Sequence, residues 1–252
     1  LISENVLTMS AAVWCKVIVL TASGCALLHW LAGRISADRR LRLVLTASFL
    51  VRVALALALF LISYYHWPIF RSLQTSDGFW AFAVDSRVYH HLAVEIANAW
   101  ATGTELPYTE LGIEYFAVVA SVYSLIGAHP LYAILLNCLL AAAVGIPSYL
   151  LGRRLFDARV GMMAAILSAC WPSSFLWSAQ LLKDALSWFL ISLALWLFIG
   201  FMPVGDRGRR RILWRAGGVV ALIVVLMALT RLRFYVGSAF SLATVVILLP
   251  VG

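Results

Sequence analysis

The stretch FAVDSRVYHHLAVEIANAW, residues 82–100, sets an aspartate, an arginine, two histidines and a glutamate into a chain that is otherwise largely hydrocarbon. Asp85 and Tyr89 stand four residues apart, so on a helix they share a face. At the start of such a helix Asp85 or Ser86 can cap the first amide groups. A capping carboxylate keeps a second oxygen free to act as a general base or to hold a metal. His90 and His91 are adjacent and diverge on a helix, so both cannot join Asp85 in one metal shell; Asp85 and His90 are the candidate metal ligands.

A second group lies in CWPSSFLWSAQLLKDALSWFL, residues 170–190. The spacing of Trp177, Gln180 and Asp184 predicts one shared helix face, with Pro172 marking the start of the element or a kink. Asp184 follows Lys183 directly, and a carboxylate in so apolar a run is costly without a partner or a function. Lys183 can also snorkel toward headgroups. The third group is LTRLRFYVG, residues 229–237. Arg231 and Arg233 have the fork geometry that suits a phosphate or diphosphate, and a short basic turn touching lipid phosphate uses the same chemistry. Glu110 and Glu114, four residues apart, either line the same site or are solvated. Arg52 sits inside an apolar run and calls for snorkelling or a buried partner. No P-loop, GxGxxG, GxSxG or HExxH pattern is present.

The elements that must position these residues are membrane helices. The 252 residues are 63% hydrophobic and 12% charged, and the mean hydropathy is +0.96. Soluble domains carry about twice that charged fraction. Apolar runs of roughly 20 residues recur, the length needed to cross ~30 Å of hydrocarbon as helix. Lipid leaves helices or closed barrels as the spanning options, and runs such as VVALIVVLMAL lack the alternation of barrel strands. The expected fold is an all-α polytopic membrane protein with spans near 11–32, 43–64, 131–151, 158–177, 185–202, 213–230 and 235–252. The first run is too long for a signal-peptide core and lacks a small-x-small site after it, so it reads as a retained helix. The leading Leu1 and the apolar stop FSLATVVILLPVG lead us to expect a longer native chain, truncated at the C-terminus. Cys15, Cys25, Cys138 and Cys170 all fall in apolar runs without a CxxC pair and read as small buried hydrophobes.

Charge then separates the loops. Residues 33–42, 152–159 and 203–215 hold twelve of the seventeen arginines, which the positive-inside rule assigns to the cytoplasm. That distribution also explains the net charge of +8 without a nucleic-acid partner. Glu4, Asp77, Asp85, Glu95, Glu105, Glu110, Glu114 and Asp184, eight of the eleven acids, fall on the other side. The assignment requires that YFAVVASVYSLIG, residues 115–127, does not cross, and its 13 residues fit an interfacial or re-entrant helix better than a span. Residues 65–130 then form one long outer loop, with an amphipathic helix near 86–101, a turn around GTELPY and a second helix lying on the membrane. Loops that long are functional candidates. No internal repeat or inverted pair of broken helices appears, which counts against a secondary transporter.

The order DSRVYHHLA, then GTELPY…EYF, then YLLGRRLFDARVG followed by WPS…LLKD, with an arginine after the next span, resembles the GT-C superfamily of polytopic glycosyltransferases. The similarity is to the branch with the protein O-mannosyltransferases and the bacterial aminoarabinose transferases of lipid A, and it covers about residues 43–240. Residues 1–42 look like an extra N-terminal transmembrane helix and cytoplasmic loop ahead of a GT-C-like core at 43–252. The resemblance implies a bacterial cytoplasmic-membrane enzyme of the cell envelope with its site on the periplasmic or exterior face. Its donor would be a polyprenyl-phosphate (or diphosphate) sugar and its acceptor a hydroxyl on a glycan, lipid or protein. It implies Asp85 as general base, Asp184 as second acid, and Lys183, Arg231 and Arg233 on the donor phosphate, with Tyr89, Glu110, Glu114 and Gln180 around the substrate. Ser86 stands where many members carry a second acid, and a divalent metal is the cofactor question left open. Two other functions stay in view: a transporter or flippase for a lipid-linked sugar, and a non-catalytic membrane subunit.

Overall fold

The computed structural model describes residues 9–75, 77–105, 114–201 and 209–248. The described residues form helices joined by turns and short irregular segments, with no strand and one isolated bridge between Gln74 and Trp80. The helices are α1 (Ala11–Ile35), α2 (Arg39–Tyr64), α3 (Asp85–Thr102), α4 (Glu114–Ile126), α5 (Pro130–Ala143), α6 (Gly145–Leu155), α7 (Ala158–Ala169), α8 (Pro172–Ser178), α9 (Asp184–Phe201), α10 (Arg209–Leu232) and α11 (Phe234–Leu248).

Among the described residues, three helices are long and apolar enough to cross a membrane: Ala11–Ile35, Arg39–Tyr64 and Pro130–Leu155, the last comprising α5 and α6. A fourth is added if α7 and α8 count as one broken span. The expected spans at 185–202, 213–230 and 235–252 correspond to α9, α10 and α11, whose apolar parts Asp184–Gly200, Gly217–Leu232 and Phe234–Val246 are shorter. Among the described residues, three or four helices thus qualify as spans by length and composition.

The chain forms two compact units, residues 1–143 with 169–185, and residues 144–168 with 186–252. In the first, α1 packs on α2 and α5, α2 packs on α5 and α8, and α3 packs on α4. Gly24 lets α1 approach α2 closely; a Cβ there would sit 2.7 Å from the Phe49 ring. The segment after α2 is tied back to it. Ser63 Oγ donates to the carbonyls of Thr75 and Phe79 at 2.9 and 2.6 Å, and Trp80 Nε1 donates to Leu59 O at 3.0 Å.

The expected helix at 115–127 is α4, and it runs back along α5. Tyr115 at its start bonds Asn137, well inside α5, while Ile126 at its end lies four residues before Pro130. Asn137 is seven residues beyond Pro130, about 10 Å along a helix axis, so α4 leans against α5. Lys16 of α1 closes the other end, its ammonium donating to Ile126 O at 2.6 Å.

In the second unit, Ala194, Leu222, Val225 and Leu226 form an apolar core flanked by Leu190, Leu193, Leu197, Phe198 and Phe240. Gly152 and Gly161 bring α6 and α7 into backbone contact, since a Cβ on Gly161 would meet Tyr149 O at 2.7 Å.

Candidate functional site

Asp85 is the first residue of α3 and is exposed. It is not the cap expected from the sequence, and neither is Ser86. A single 3₁₀ turn at Ala81–Ala83 leads straight into the helix through Val84, which already has helical dihedrals. Ala83 N bonds Trp80 O at 2.9 Å and Arg87 N bonds Val84 O at 3.3 Å, so the first turn is closed by backbone. The Asp85 carboxylate is left facing outward, and Ser86 is buried with no partner for its hydroxyl.

Tyr89, one turn on, is buried against Tyr115 and Phe116, with ring centroids 5.0 and 5.2 Å away. His90 is also buried, its Nδ1 2.8 Å from the Tyr123 hydroxyl and its ring against Phe79. Burial above all, and then His91 and His129, lower the His90 pKa to about 4; Asp77 opposes this. His91 points to solvent. Among the described residues no three of His, Cys, Asp and Glu gather as a metal shell, so the pairing of Asp85 with His90 finds no third ligand there.

The WPS…LLKD segment does not carry Trp177, Gln180 and Asp184 on one helix. Helix α8 stops at Ser178, residues 179–183 are non-helical, and α9 begins at Asp184. Trp177, Gln180 and Asp184 therefore do not share a helix face. A break of this kind leaves backbone carbonyls without helical partners, and buried carbonyls must find others. Two side chains from neighbouring helices supply them. Asn137 of α5 donates through Nδ2 to Gln180 O at 2.9 Å and Leu182 O at 2.8 Å, and to the Tyr115 hydroxyl at 3.0 Å. Arg52 of α2 donates through Nη1 to Ser174 O and Ser178 Oγ, through Nη2 to Ala169 O and Ser174 Oγ, and through Nε to Ser48 Oγ, at 2.6–3.3 Å. Five N–H groups make five bonds, and the guanidinium lies 4.2 Å from the Phe175 ring centroid. Ser48 Oγ adds a 2.6 Å bond to Ala169 O. Arg52 has a buried partner set, as its position demanded, and it is made of carbonyls and hydroxyls.

These contacts relate the candidate groups of the first unit. The lead-in to α3 meets α8 through Phe82 and Trp177, 6.3 Å between centroids. Tyr89 meets Tyr115, Tyr115 bonds Asn137, and Asn137 holds the turn that delivers the half-buried Lys183 and Asp184. Burial raises the Tyr115 phenol well above its ordinary pKa against the hydrogen bond from Asn137, and Tyr89 and Asp184 add to the rise. Gln180 is buried, with its carbonyl used by Asn137.

Arg231 and Arg233 belong to the second unit. Arg231 is exposed in the last turn of α10 and borders a groove of about 300 Å³ with Ile223, Leu226, Met227, Thr230 and Ser241. Arg233 is half-buried; Nε donates to Ser187 Oγ at 3.2 Å and Nη1 to the Tyr235 hydroxyl at 3.0 Å. Glu110 lies outside the described residues, as does the Glu114 side chain, although Glu114 heads α4. Asn137 was missed by sequence reasoning, and its one signal is an amide in an otherwise apolar run, AILLNCLLAAA.

Fold and contacts together define, over the described residues, an all-helical chain with long apolar helices and a polar-braced break in its first unit. No protein-family model, curated protein or solved structure matches it.

Proposed function

We propose that the protein is a membrane glycosyltransferase of the GT-C kind, moving a sugar from a polyprenyl-phosphate-linked donor to a hydroxyl acceptor at the extracytoplasmic face of a bacterial cytoplasmic membrane. One observation carries the reading. Asp85 and the Lys183–Asp184 pair, far apart in sequence, stand on elements joined through Tyr89, Tyr115 and Asn137. In this reading the exposed Asp85 carboxylate takes the proton of the acceptor hydroxyl as its oxygen attacks the anomeric carbon. The bond from that carbon to the phosphate oxygen breaks, and the phosphate departs as an anion that Lys183 stabilises; the resemblance to the GT-C superfamily gives Arg231 and Arg233 the same role. Asp184 is the second acid beside Lys183, and a non-helical turn braced at its carbonyls would hold the pair in place.

The test is binding and turnover in nanodiscs. Saturable binding of a polyprenyl phosphate should resist excess phosphatidylglycerol and weaken in Lys183→Ala, Arg231→Ala and Arg233→Ala. With the matching sugar donor, Asp85→Asn should abolish transfer and leave folding intact, because the side chain is exposed. Undiminished transfer by that variant removes Asp85 as the base. Binding with no preference over bulk phospholipid turns the assignment to a non-catalytic subunit.

A further inference from the structure

The nine residues directly after α2, Tyr65 to Leu73, are all exposed, and five are large and apolar: Tyr65, Trp67, Ile69, Phe70 and Leu73. Phe70 is 69% exposed and Trp67 48%. Water-facing surfaces tolerate such side chains singly; a contiguous patch marks something that covers it. The segment is also firmly built. Gln74 Nε2 donates to the carbonyls of Trp67 and Ile69, both at 2.7 Å. Leu73 N and Gln74 N donate to Phe70 O and Arg71 O at 2.9 and 3.2 Å, and Trp67 N to Ile62 O at 3.0 Å. His66 and Phe70 hold left-handed backbone, φ 51° and 54°, which side chains larger than glycine adopt only where the surroundings enforce it. Carbonyls turn in toward Gln74 while the apolar side chains turn out. A segment that leaves water needs its backbone polar groups satisfied in this way.

We propose that Tyr65–Leu73 is a membrane anchor seated in the interfacial layer of the leaflet at the C-terminal end of α2. Covalent continuity argues for lipid, since the patch begins at the residue next to an apolar helix long enough to span. Composition argues for the interface: Tyr65 and Trp67 have the amphipathic rings found at headgroup level, and the exposed Arg71 can meet lipid phosphate. The anchor is coupled to the chain beyond it, because Ser63 and Leu59 hold that chain at Thr75, Phe79 and Trp80. It would therefore fix the depth of Asp85, five residues after Trp80, whatever reaction the protein performs.

The full chain in nanodiscs of phosphatidylcholine and phosphatidylglycerol tests this. Cys15, Cys25 and Cys170 are replaced by serine, the buried Cys138 is kept, and bimane is placed on Phe70→Cys, on Trp67→Cys, or on His91→Cys as the exposed control. The expected result at 70 and 67 is several-fold stronger quenching by lipid with a doxyl at the 5-position than at 91, and weaker quenching by aqueous iodide. Iodide quenching equal to that at 91 overturns the proposal. So does shielding from both quenchers, which would mean that protein covers the patch. The two positions keep the test usable if one variant does not fold.

Discussion

The two units solve the packing of apolar helices by opposite means. In the first, a broken stretch from Ala169 to Asp184 is held by guanidinium and amide side chains from α2 and α5. Arg52 and Asn137 together bond four of its carbonyls, those of Ala169, Ser174, Gln180 and Leu182. In the second, α6 and α7 touch through Gly152 and Gly161, and the core around Leu222 and Leu226 is hydrocarbon. An intact helix satisfies its own backbone and asks its neighbours only for shape. A broken one must borrow donors, and in an apolar setting each must come from a residue that is itself expensive to bury. Such expense marks a geometry that matters, and the borrowed donors lead to the Lys183–Asp184 turn.

Substitutions can break that contrast, beginning with the largest effect. Arg52→Met leaves the carbonyls of Ala169 and Ser174 and the hydroxyls of Ser48, Ser174 and Ser178 each short of a donor, at a cost of roughly 3–5 kcal/mol. Thermal unfolding in detergent, with Cys15, Cys25 and Cys170 replaced by serine so that a maleimide dye reports exposure of buried Cys138, should show the largest drop in Tm, with partial recovery in Arg52→Lys. Acid should act next. Burial lowers the pKa of His90 and of His129, each to about 4, against 6.5 in an unfolded chain. Between those values the unfolded state binds more protons, so stability is full above pH 6.5 and falls as pH drops toward 4, by of order 2–3 kcal/mol per histidine. Tm measured from pH 7.5 to 4 should trace that fall, and His90→Gln, which can keep a neutral bond to Tyr123, should remove the His90 share and leave that of His129. Asn137→Leu should cost about 2–3 kcal/mol by orphaning the carbonyls of Gln180 and Leu182. It should also speed amide exchange at 179–183, which a purely global loss would not single out. Gly161→Ala in the second unit should cost about 1–3 kcal/mol through overpacking against Tyr149, with no change in exchange at 179–183. Equal local effects from Asn137→Leu and Gly161→Ala would erase the distinction between the units.

Much of the helical layout was legible because hydropathy and length carry it. The helices at 11–35, 39–64, 85–102 and 114–126 fall close to where apolar runs and amphipathic spacing put them. The gap between the spans expected at 158–177 and 185–202 falls on the break after Ser178, but the non-helical form of residues 179–183 was not legible. Pro172 announces the start of α8, but no glycine or proline follows Ser178 before α9 is under way, and a run such as SAQLLKDALSW continues a helical pattern without interruption. The helix ends for a tertiary reason, Asn137, 43 residues before Gln180, taking the carbonyls. The cap at Asp85 failed as a reading for a local reason, a preceding 3₁₀ turn that closes the first amides before any side chain is needed. Arg52 could be seen to need company, yet two of its three serine partners, Ser174 and Ser178, lie 122 and 126 residues away.

The bond from Lys16 to Ile126 joins residues 110 apart. It makes the first helix a clasp on the far end of the α4–α5 hairpin: α4 is 13 residues long, leans on α5, and has a carbonyl of its last turn occupied by α1. Shifting α1 would uncover that carbonyl and loosen the hairpin from the end opposite Tyr115 and Asn137.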